Sequence, residues 1–195
     1  MCGPSTALSR PALAAACGLL AIASAGCGNQ RAKPIDLSHA LTPKGRQVLS
    51  FPAAGLQVRA PANWYTGDGQ PPFVKLVFSG RATIAIWRYR RSEQLPKDAG
   101  SLDRARQALI DAAKARDKSL RLRRSQVTRI GGVPAVVLIA VERIGPGVRA
   151  VRSTHLYAHR GEIVVDAYAP PSEFATLDRT AFRPLLSSLR ITRPR

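Results

Sequence analysis

The stretch "VPAVVLIAVERIGPGVRAVRSTHLYAHRGEIVVDAYAP", residues 133–170, decides the fold class of this chain. It consists of runs rich in Val, Ile, Ala and Tyr, and "LRLRRSQVTRI", residues 120–130, precedes it. Such runs bounded by glycine and proline are typical of β-strands. Residues 136–141 are apolar at every position, as expected for a central strand covered on both faces. We therefore predict four consecutive strands, with turns at Gly131-Gly132, Gly145-Pro146-Gly147 and Arg160-Gly161.

Shorter apolar runs lie upstream of this stretch. "QVLSF", residues 47–51, and "GLQVRAP", residues 55–61, predict two strands joined by a turn at Pro52–Gly55. "FVKLVFSG" and "TIAIWRYRR" predict a hairpin, because Ile84 and Ile86 alternate with their neighbours in the second run. Its turn is expected around Ser79-Gly80-Arg81.

Two segments have helical rather than strand periodicity. "SLDRARQALIDAAKARDKSL", residues 101–120, places Leu and Ala on one face and charged residues on the other, and Ser101 is a good N-cap. Residues 172–188 predict a second helix, which Pro184 kinks or divides. The order of elements predicts an α+β fold: a largely antiparallel sheet of six to eight strands with two helices packed on it. We expect residues 47–195 to form this single domain.

Four motifs in this order resemble one family. They are "APANWY" after the second strand, the lone amphipathic helix at 101–118, "IGGVPAVVL", and "YAHRGEIVVDAYAPPSEFATLDRTAFRPLLSSLRI". Together they resemble the PsbP-like fold, an α/β/α sandwich that includes bacterial lipoproteins of the LpqN type and eukaryotic Ran-binding import factors. The resemblance implies the fold and a binding or assembly role. It assigns no binding residue, because one fold hosts different functions.

The first residues have the build of an export signal. Residues 12–26 are apolar or small and uncharged, too short for a membrane-spanning helix and typical of a signal peptide. Ser24-Ala25-Gly26-Cys27 resembles a bacterial lipobox, whose Cys is lipidated. The alternatives are a simple secretory cleavage site at Ala23-Ser24-Ala25 and a retained N-terminal anchor. Cysteine usage favours lipidation, since simple secretion would leave Cys27 as a lone thiol. We expect a lipoprotein signal peptide at 1–26 and a lipidated Cys with a flexible tether at 27–46.

The charge is strongly positive. The chain has 30 Lys and Arg against 12 Asp and Glu, a formal net charge of +18. This predicts an anionic partner or, alternatively, only a solvated basic surface. If neighbouring strands pair, a basic surface would face lipid headgroups or an envelope polyanion, or would merely protect a sheet edge. Its members are Arg88, Arg90, Arg121, Arg123, Arg129, Arg149 and Arg152.

Few residues suggest chemistry. The aromatic residues Trp64, Tyr65 and Trp87 either line a pocket or belong to the core. His155 and His159 are expected on a strand, about 13 Å apart, which is too far to share one metal ion. A catalytic His155–Asp166 pair is conceivable, but no motif places a nucleophile.

The sequence therefore predicts a protein held at the extracytoplasmic face of the cell membrane by acylated Cys27. Its expected role is a non-enzymatic binding or assembly module for a protein, lipid or polyanionic partner, with no metal or other cofactor and no nucleic acid. The alternative is a small secreted hydrolase that uses a His/Asp pair.

Overall fold

The computed structural model describes residues 37–195. The predicted signal peptide, Cys27 and the first part of the predicted tether lie outside the described residues. The elements follow in chain order: β1 (Gln47–Phe51), a 3-10 turn (Pro52–Ala54), β2 (Leu56–Ala60), β3 (Tyr65–Asp68), β4 (Phe73–Ser79), β5 (Ala82–Arg90), α1 (Ala99–Arg116), β6 (Arg121–Ile130), β7 (Val133–Ile144), β8 (Gly147–Ala158), β9 (Gly161–Ala169), α2 (Pro171–Leu177), a π-turn (Asp178–Phe182), α3 (Arg183–Ser187) and β10 (Arg190–Ile191).

The main sheet is antiparallel throughout and has seven strands in the order β3-β4-β5-β9-β8-β7-β6. The predicted α+β class and the four-stranded meander are confirmed. The β8–β9 turn is formed by His159 and Arg160, both left-handed with φ of 49° and 54°, one residue before the predicted position. This two-residue turn sets the register in which Tyr157 faces Glu162.

The predicted first strand pair forms a separate sheet. β1, β2 and β10 pair in the order β1-β2-β10, and β10 returns to β2 from the C-terminal end of the chain. β3 and β10 were not predicted, because four and two residues are too few to show a period. The structure therefore contains two sheets where the sequence predicted one.

The hydrophobic core lies between the two sheets and the C-terminal helices. One face of the main sheet contributes Ile84, Ile86, Leu156 and Val165, and α3 contributes Leu185, all fully buried. The predicted second helix is divided by the π-turn, in which the Arg183 N–H reaches back to the Asp178 carbonyl. Pro184 follows directly, and its missing N–H is one reason why a regular ladder cannot continue there.

Helix α1 packs on the opposite face of the main sheet. Its N-cap is Asp98, three residues before the predicted N-cap, and Ser101 completes a capping box as the third helical residue. Leu102 and Ile110 are buried against β6 and β7. Because β6 is an edge strand, α1 covers one end of this face and leaves the strands toward β3 open.

Within residues 37–195, no helix is long and apolar enough to cross a membrane.

Candidate functional site

The uncovered part of the main sheet, which we call the open face, is rich in aromatic side chains. Antiparallel partners place their side chains on the same face. Tyr65 pairs with Phe78, and their rings stack at 5.6 Å. Phe73 pairs with Trp87 at a ring distance of 5.4 Å. Tyr65 is 42% exposed, so the aromatic row reaches solvent.

A groove runs between this open face and α1. It consists of two cavities of about 260 Å³ and about 780 Å³. The two cavities share four lining residues, Trp87, Arg116, Glu142 and Tyr168, so they lie side by side. Strands β5, β7, β8 and β9 supply most of the floor of the first cavity, and α1 supplies one wall.

Three polar side chains on the floor form a hydrogen-bonded row. Ser153 and His155 lie two residues apart on β8 and therefore on the same face. The Ser153 Oγ lies 3.1 Å from the His155 Nε2, and the His155 Nδ1 lies 2.7 Å from Glu162 Oε1 on β9. His155 is thus held between a hydroxyl and a carboxylate.

Glu162 is a buried carboxylate of the groove with both oxygens hydrogen-bonded. Its side chain is 5% exposed and is bonded by His155 on one oxygen and by the guanidinium of Arg91 on the other. Burial alone would raise the pKa of Glu162, but the hydrogen bonds from His155 and Arg91 outweigh it and lower the pKa. Glu162 therefore stays ionised in the folded protein at neutral pH.

Asp166 has the opposite environment. Its Oδ2 accepts a hydrogen bond from the Tyr168 hydroxyl at 3.2 Å, while Oδ1 is buried and makes no hydrogen bond within the described part of the chain. Burial raises the pKa of Asp166, although its neighbours Ser153, His155 and Tyr168 favour the charged form. Ser153 faces Asp166 across the β8–β9 pair, so the hydroxyl that favours the charged carboxylate comes from the protein itself.

The second cavity has a basic rim. Arg81, Arg116, Arg143 and Arg149 line it together with Glu142 and Asp117. Glu142 is buried and pairs with Arg116 at 3.4 Å; burial raises the pKa of Glu142. Asp117 accepts from the backbone N–H of Arg143. Among the described residues, no carboxylate lies within ion-pair distance of the guanidinium groups of Arg81, Arg143 or Arg149.

The structure does not bring the seven predicted basic-surface arginines together. Arg88 is buried and donates to the carbonyls of Ala54 and His159. Arg152 is buried and forms a two-pronged ion pair with Asp178 at 2.5 and 2.8 Å. Both arginines tie elements together on the core face.

The arginines of β6 also separate. A bulge between Leu122 and Arg124 shifts the register, so Arg121 pairs with Val141 whereas Arg129 pairs with Pro134. Positions 134 and 141 alternate to opposite faces of β7, and the predicted shared face of Arg121 and Arg129 is therefore wrong. Arg123 and Arg90 are exposed, and of the seven only Arg149 lines the groove.

The predicted aromatic residues divide in the same way. Trp64 is 4% exposed, belongs to the core and donates its indole N–H to the Leu41 carbonyl. Tyr65 and Trp87 lie on the open face. Trp64 is adjacent to Tyr65 in sequence, but it precedes β3 and turns into the core.

The conceivable catalytic pair of His155 and Asp166 is not hydrogen-bonded in the structure. His155 is bonded by Glu162 rather than Asp166, and His159 lies in the exposed β8–β9 turn. No group of metal-ligating side chains is found within residues 37–195. The sequence reasoning missed Ser153 and Glu162. The Ser-x-His spacing on a strand was the available signal for Ser153, whereas Glu162 needed the β8–β9 register.

No protein-family model and no curated protein matches the chain. Solved structures do. The cyanobacterial PsbP protein of Synechocystis superposes with a TM-score of 0.56 at 15% identity, covering 75% of this chain and 92% of that one. The domain has the PsbP-like fold.

Two further structures share this PsbP-like architecture. LpqN of Mycobacterium tuberculosis, described as involved in cell envelope biogenesis, has a TM-score of 0.51 at 13% identity, over 76% of this chain and 91% of LpqN. A Bacteroides thetaiotaomicron protein has a TM-score of 0.54 at 12% identity, over 78% of this chain and 50% of that one. The resemblance predicted from the sequence motifs is confirmed at the level of the fold.

Proposed function

We propose that this protein is a lipid-anchored, non-enzymatic binding module of the cell envelope. In this proposal, Cys27 holds the PsbP-like domain at the extracytoplasmic face of the membrane, and the open face with its groove receives a partner. One observation carries the binding role: α1 covers only one end of its sheet face, so aromatic side chains remain accessible beside it. Exposed apolar surface rimmed by polar groups marks interaction sites.

The envelope location has separate support. The signal-like residues 12–26 end at a lipobox-like Cys27, and a structure of the same fold, LpqN, is described as involved in cell envelope biogenesis. Several acyl chains on one cysteine would hold the domain firmly, since each buried CH₂ contributes about 0.8 kcal/mol.

The anchor is tested by metabolic labelling with a radioactive fatty acid. We expect label in the wild-type protein and none in Cys27→Ser, while Cys2→Ser and Cys17→Ser, which change cysteines inside the predicted signal peptide, keep it. Equal labelling of Cys27→Ser and wild type would exclude an anchor at Cys27.

The binding face is tested by chemical crosslinking in intact cells followed by mass spectrometry. The test variant is Tyr65→Ser with Tyr89→Ser, which removes two exposed aromatic rings, 42% and 37% exposed, from the open face. The matched control is Val48→Ser with Val148→Ser, which removes side chains that are 57% and 45% exposed elsewhere. The proposal expects partner capture to fall only in the first variant. Equal capture by both variants would place the interaction on another surface.

A second candidate function is an ester hydrolase, because Ser153, His155 and Glu162 have the order and distances of a nucleophile, a base and an orienting carboxylate. Ser153 lies within a central strand that pairs on both sides, so neighbouring backbone N–H groups are committed to the sheet and supply no oxyanion site. Covalent labelling of Ser153 by a fluorophosphonate would favour the hydrolase; a protein that stays unlabelled while it captures a partner favours the binding module.

A further inference from the structure

The segment that precedes β1 is fixed to one end of the main sheet. This strap (residues 39–44) crosses the β4–β5 turn, where the Leu41 N–H donates to the Ser79 Oγ at 2.9 Å. Gly80 has a φ of 53°, and a side chain at this position would collide with the His39 carbonyl. The chain therefore enters the domain at the end of the sheet where Gly80 lies, which we call the strap end.

The other connections at the strap end follow from the strand register. Thr83 of β5 pairs with Tyr168 of β9, and the next residue, Ala169, pairs with Ala150 of β8. The β7–β8 turn and the β9–α2 connection therefore lie at the same end as the β4–β5 turn. The α1–β6 connection joins them, because Asp117 accepts from the backbone N–H at the end of β7.

The strap end presents basic and apolar side chains to solvent. Leu37 and Leu41 are 65% and 41% exposed. The acidic residues here, Asp117, Glu142 and Glu173, already accept hydrogen bonds within the domain. The exposed basic residues at this end are Arg81, Lys118, Arg121 and Arg143.

Charge alone does not distinguish the two ends of the sheet, since Arg90 and Arg160 are exposed at the opposite end. The length of chain back to Cys27 does. Counted as the predicted flexible tether, the ten residues from Cys27 to Leu37 reach about 16–19 Å on average. The twelve-residue strand β8 is about 37 Å long. An acylated Cys27 would therefore keep the strap end near the membrane, whereas the opposite end could reach it only with the tether almost fully extended.

We propose that the strap end is the membrane-facing surface of the domain, where its basic residues contact the anionic lipid headgroups of the bilayer that holds Cys27. This rests on the proposed lipid anchor and specifies which surface turns toward the bilayer. Leucine side chains beside basic ones suit the boundary between headgroups and acyl chains. Because the strands run away from the strap end, the open face stays clear of the bilayer and accessible to a partner.

The test places one fluorophore at either end of the full-length lipidated chain. Ser172→Cys labels the strap end and Ser92→Cys labels the opposite end, both at exposed positions. Cys2 and Cys17 precede the predicted cleavage point and Cys27 is acylated in the proposal, so the introduced cysteine carries the free thiol. The protein is reconstituted in vesicles of phosphatidylcholine with one third phosphatidylglycerol and a lipid that carries a nitroxide quencher on its headgroup. We expect quenching at least about threefold stronger from position 172 than from position 92, because the tether reaches only about half the length of the sheet.

Paired variants separate contact with the membrane from proximity to it. Arg81→Gln with Arg143→Gln removes two exposed charges from the strap end, and Arg90→Gln with Arg160→Gln removes the same charge from the opposite end. With the label at position 172, the first pair is expected to lower the ratio of docked to undocked domains about tenfold or more, since each basic residue near an anionic surface contributes about 1 kcal/mol. The second pair should leave this ratio unchanged.

The proposal is overturned by equal quenching from the two ends, by stronger quenching from position 92, or by equal losses in the two double variants. Flotation of the protein with the vesicles separates this result from the anchor itself. A protein that floats but is quenched equally at both ends keeps the anchor at Cys27 and loses only the membrane-facing surface. A protein that does not float would overturn the anchor, and this inference with it.

Discussion

Glu162 and Asp166 lie four residues apart on one face of β9, and their pKa values shift in opposite directions. Burial would raise both. In Glu162 the hydrogen bonds from His155 and Arg91 overcome burial, while in Asp166 one oxygen remains without a donor and burial dominates. The same strand thus presents one carboxylate whose hydrogen bonds keep it ionised and one carboxylate whose pKa is raised by burial.

Removing the charge of Glu162 should destabilise the protein at neutral pH. The pKa of Glu162 is lowered from 4.5 in the folded state, so its stabilisation is complete above about pH 4.5 and disappears as the pH falls through the folded value. Glu162→Gln is expected to lower the free energy of unfolding by about 2 kcal/mol at pH 7. Urea unfolding at pH 7 and pH 3 measures this.

The control is Glu93→Gln, since Glu93 also contacts Arg91, at 3.5 Å, but is 62% exposed. That variant should leave the free energy of unfolding nearly unchanged, because a fully exposed ion pair is screened by solvent. A Glu162→Gln cost that is equally large at pH 3 would contradict the assigned ionisation.

Asp166→Asn should have the opposite effect. The pKa of Asp166 is raised above 3.8 in the folded state, so stability is lost as the pH rises through the folded value, and the uncharged variant avoids this loss. We expect the free energy of unfolding to rise by about 1 kcal/mol at pH 7. No gain is expected at pH 3, where the Asp166 side chain of the wild type is neutral, like the asparagine of the variant. Thermal unfolding across this range provides the measurement.

The control is Asp103→Asn, at an exposed ion pair on α1, which should change stability little. A loss of stability in Asp166→Asn at pH 7 would show that Oδ1 already has a hydrogen-bond donor.

Arg152 should behave as a structural residue rather than a surface charge. It joins β8 to the π-turn through Asp178, and both side chains are nearly buried at 10% and 13% exposure. Arg152→Ala leaves the Asp178 carboxylate with only the more distant Arg183, at 3.4 Å, and is expected to cost about 3 kcal/mol. The comparison is Arg123→Ala, exposed on β6, which should stay within about 0.5 kcal/mol of the wild type in the same denaturant titration. A similarly small loss of unfolding free energy in both variants would indicate that Arg152 is a surface charge and not a structural residue.

Arg160, in the β8–β9 turn, has a strained backbone conformation. Its φ of 54° is left-handed, and glycine adopts this conformation without the steric penalty of a side chain. Arg160→Gly keeps the carbonyl that accepts from the Arg91 N–H, and it should stabilise the fold by about 1 kcal/mol, or about 2–4 °C in Tm. The same substitution at Arg104 in α1 should destabilise by about 1 kcal/mol. A lower Tm for Arg160→Gly would mean that the Arg160 side chain contributes more than its backbone strain.

The sequence predicted those parts of the fold that have strong local signals. Glycine-bounded apolar runs located β6 to β9, and helical periodicity located α1, although Ser101 and Asp98 are both good caps and only the structure shows which begins the helix. The pairing of β1 and β2 with β10 depends on contacts between distant parts of the chain, which periodicity does not report.

The site was less predictable because it depends on register. When the β8–β9 turn is predicted one residue late, the register is wrong and the contact between His155 and Glu162 is not predicted. A one-residue bulge in β6 likewise places Arg121 on the face opposite to Arg129. Arg81, Arg143 and Arg149 come from three different strand ends, and only the folded sheet brings them around one cavity.

Site-specific photocrosslinking in intact cells tests the central claim, that the open face beside α1 is the binding surface. A photoreactive phenylalanine analogue replaces Phe78 on the open face or, as the control, Val48 on the small sheet, which is 57% exposed. The account expects a discrete crosslinked species from position 78 and none from position 48. Crosslinks from position 48 with none from position 78 would contradict it.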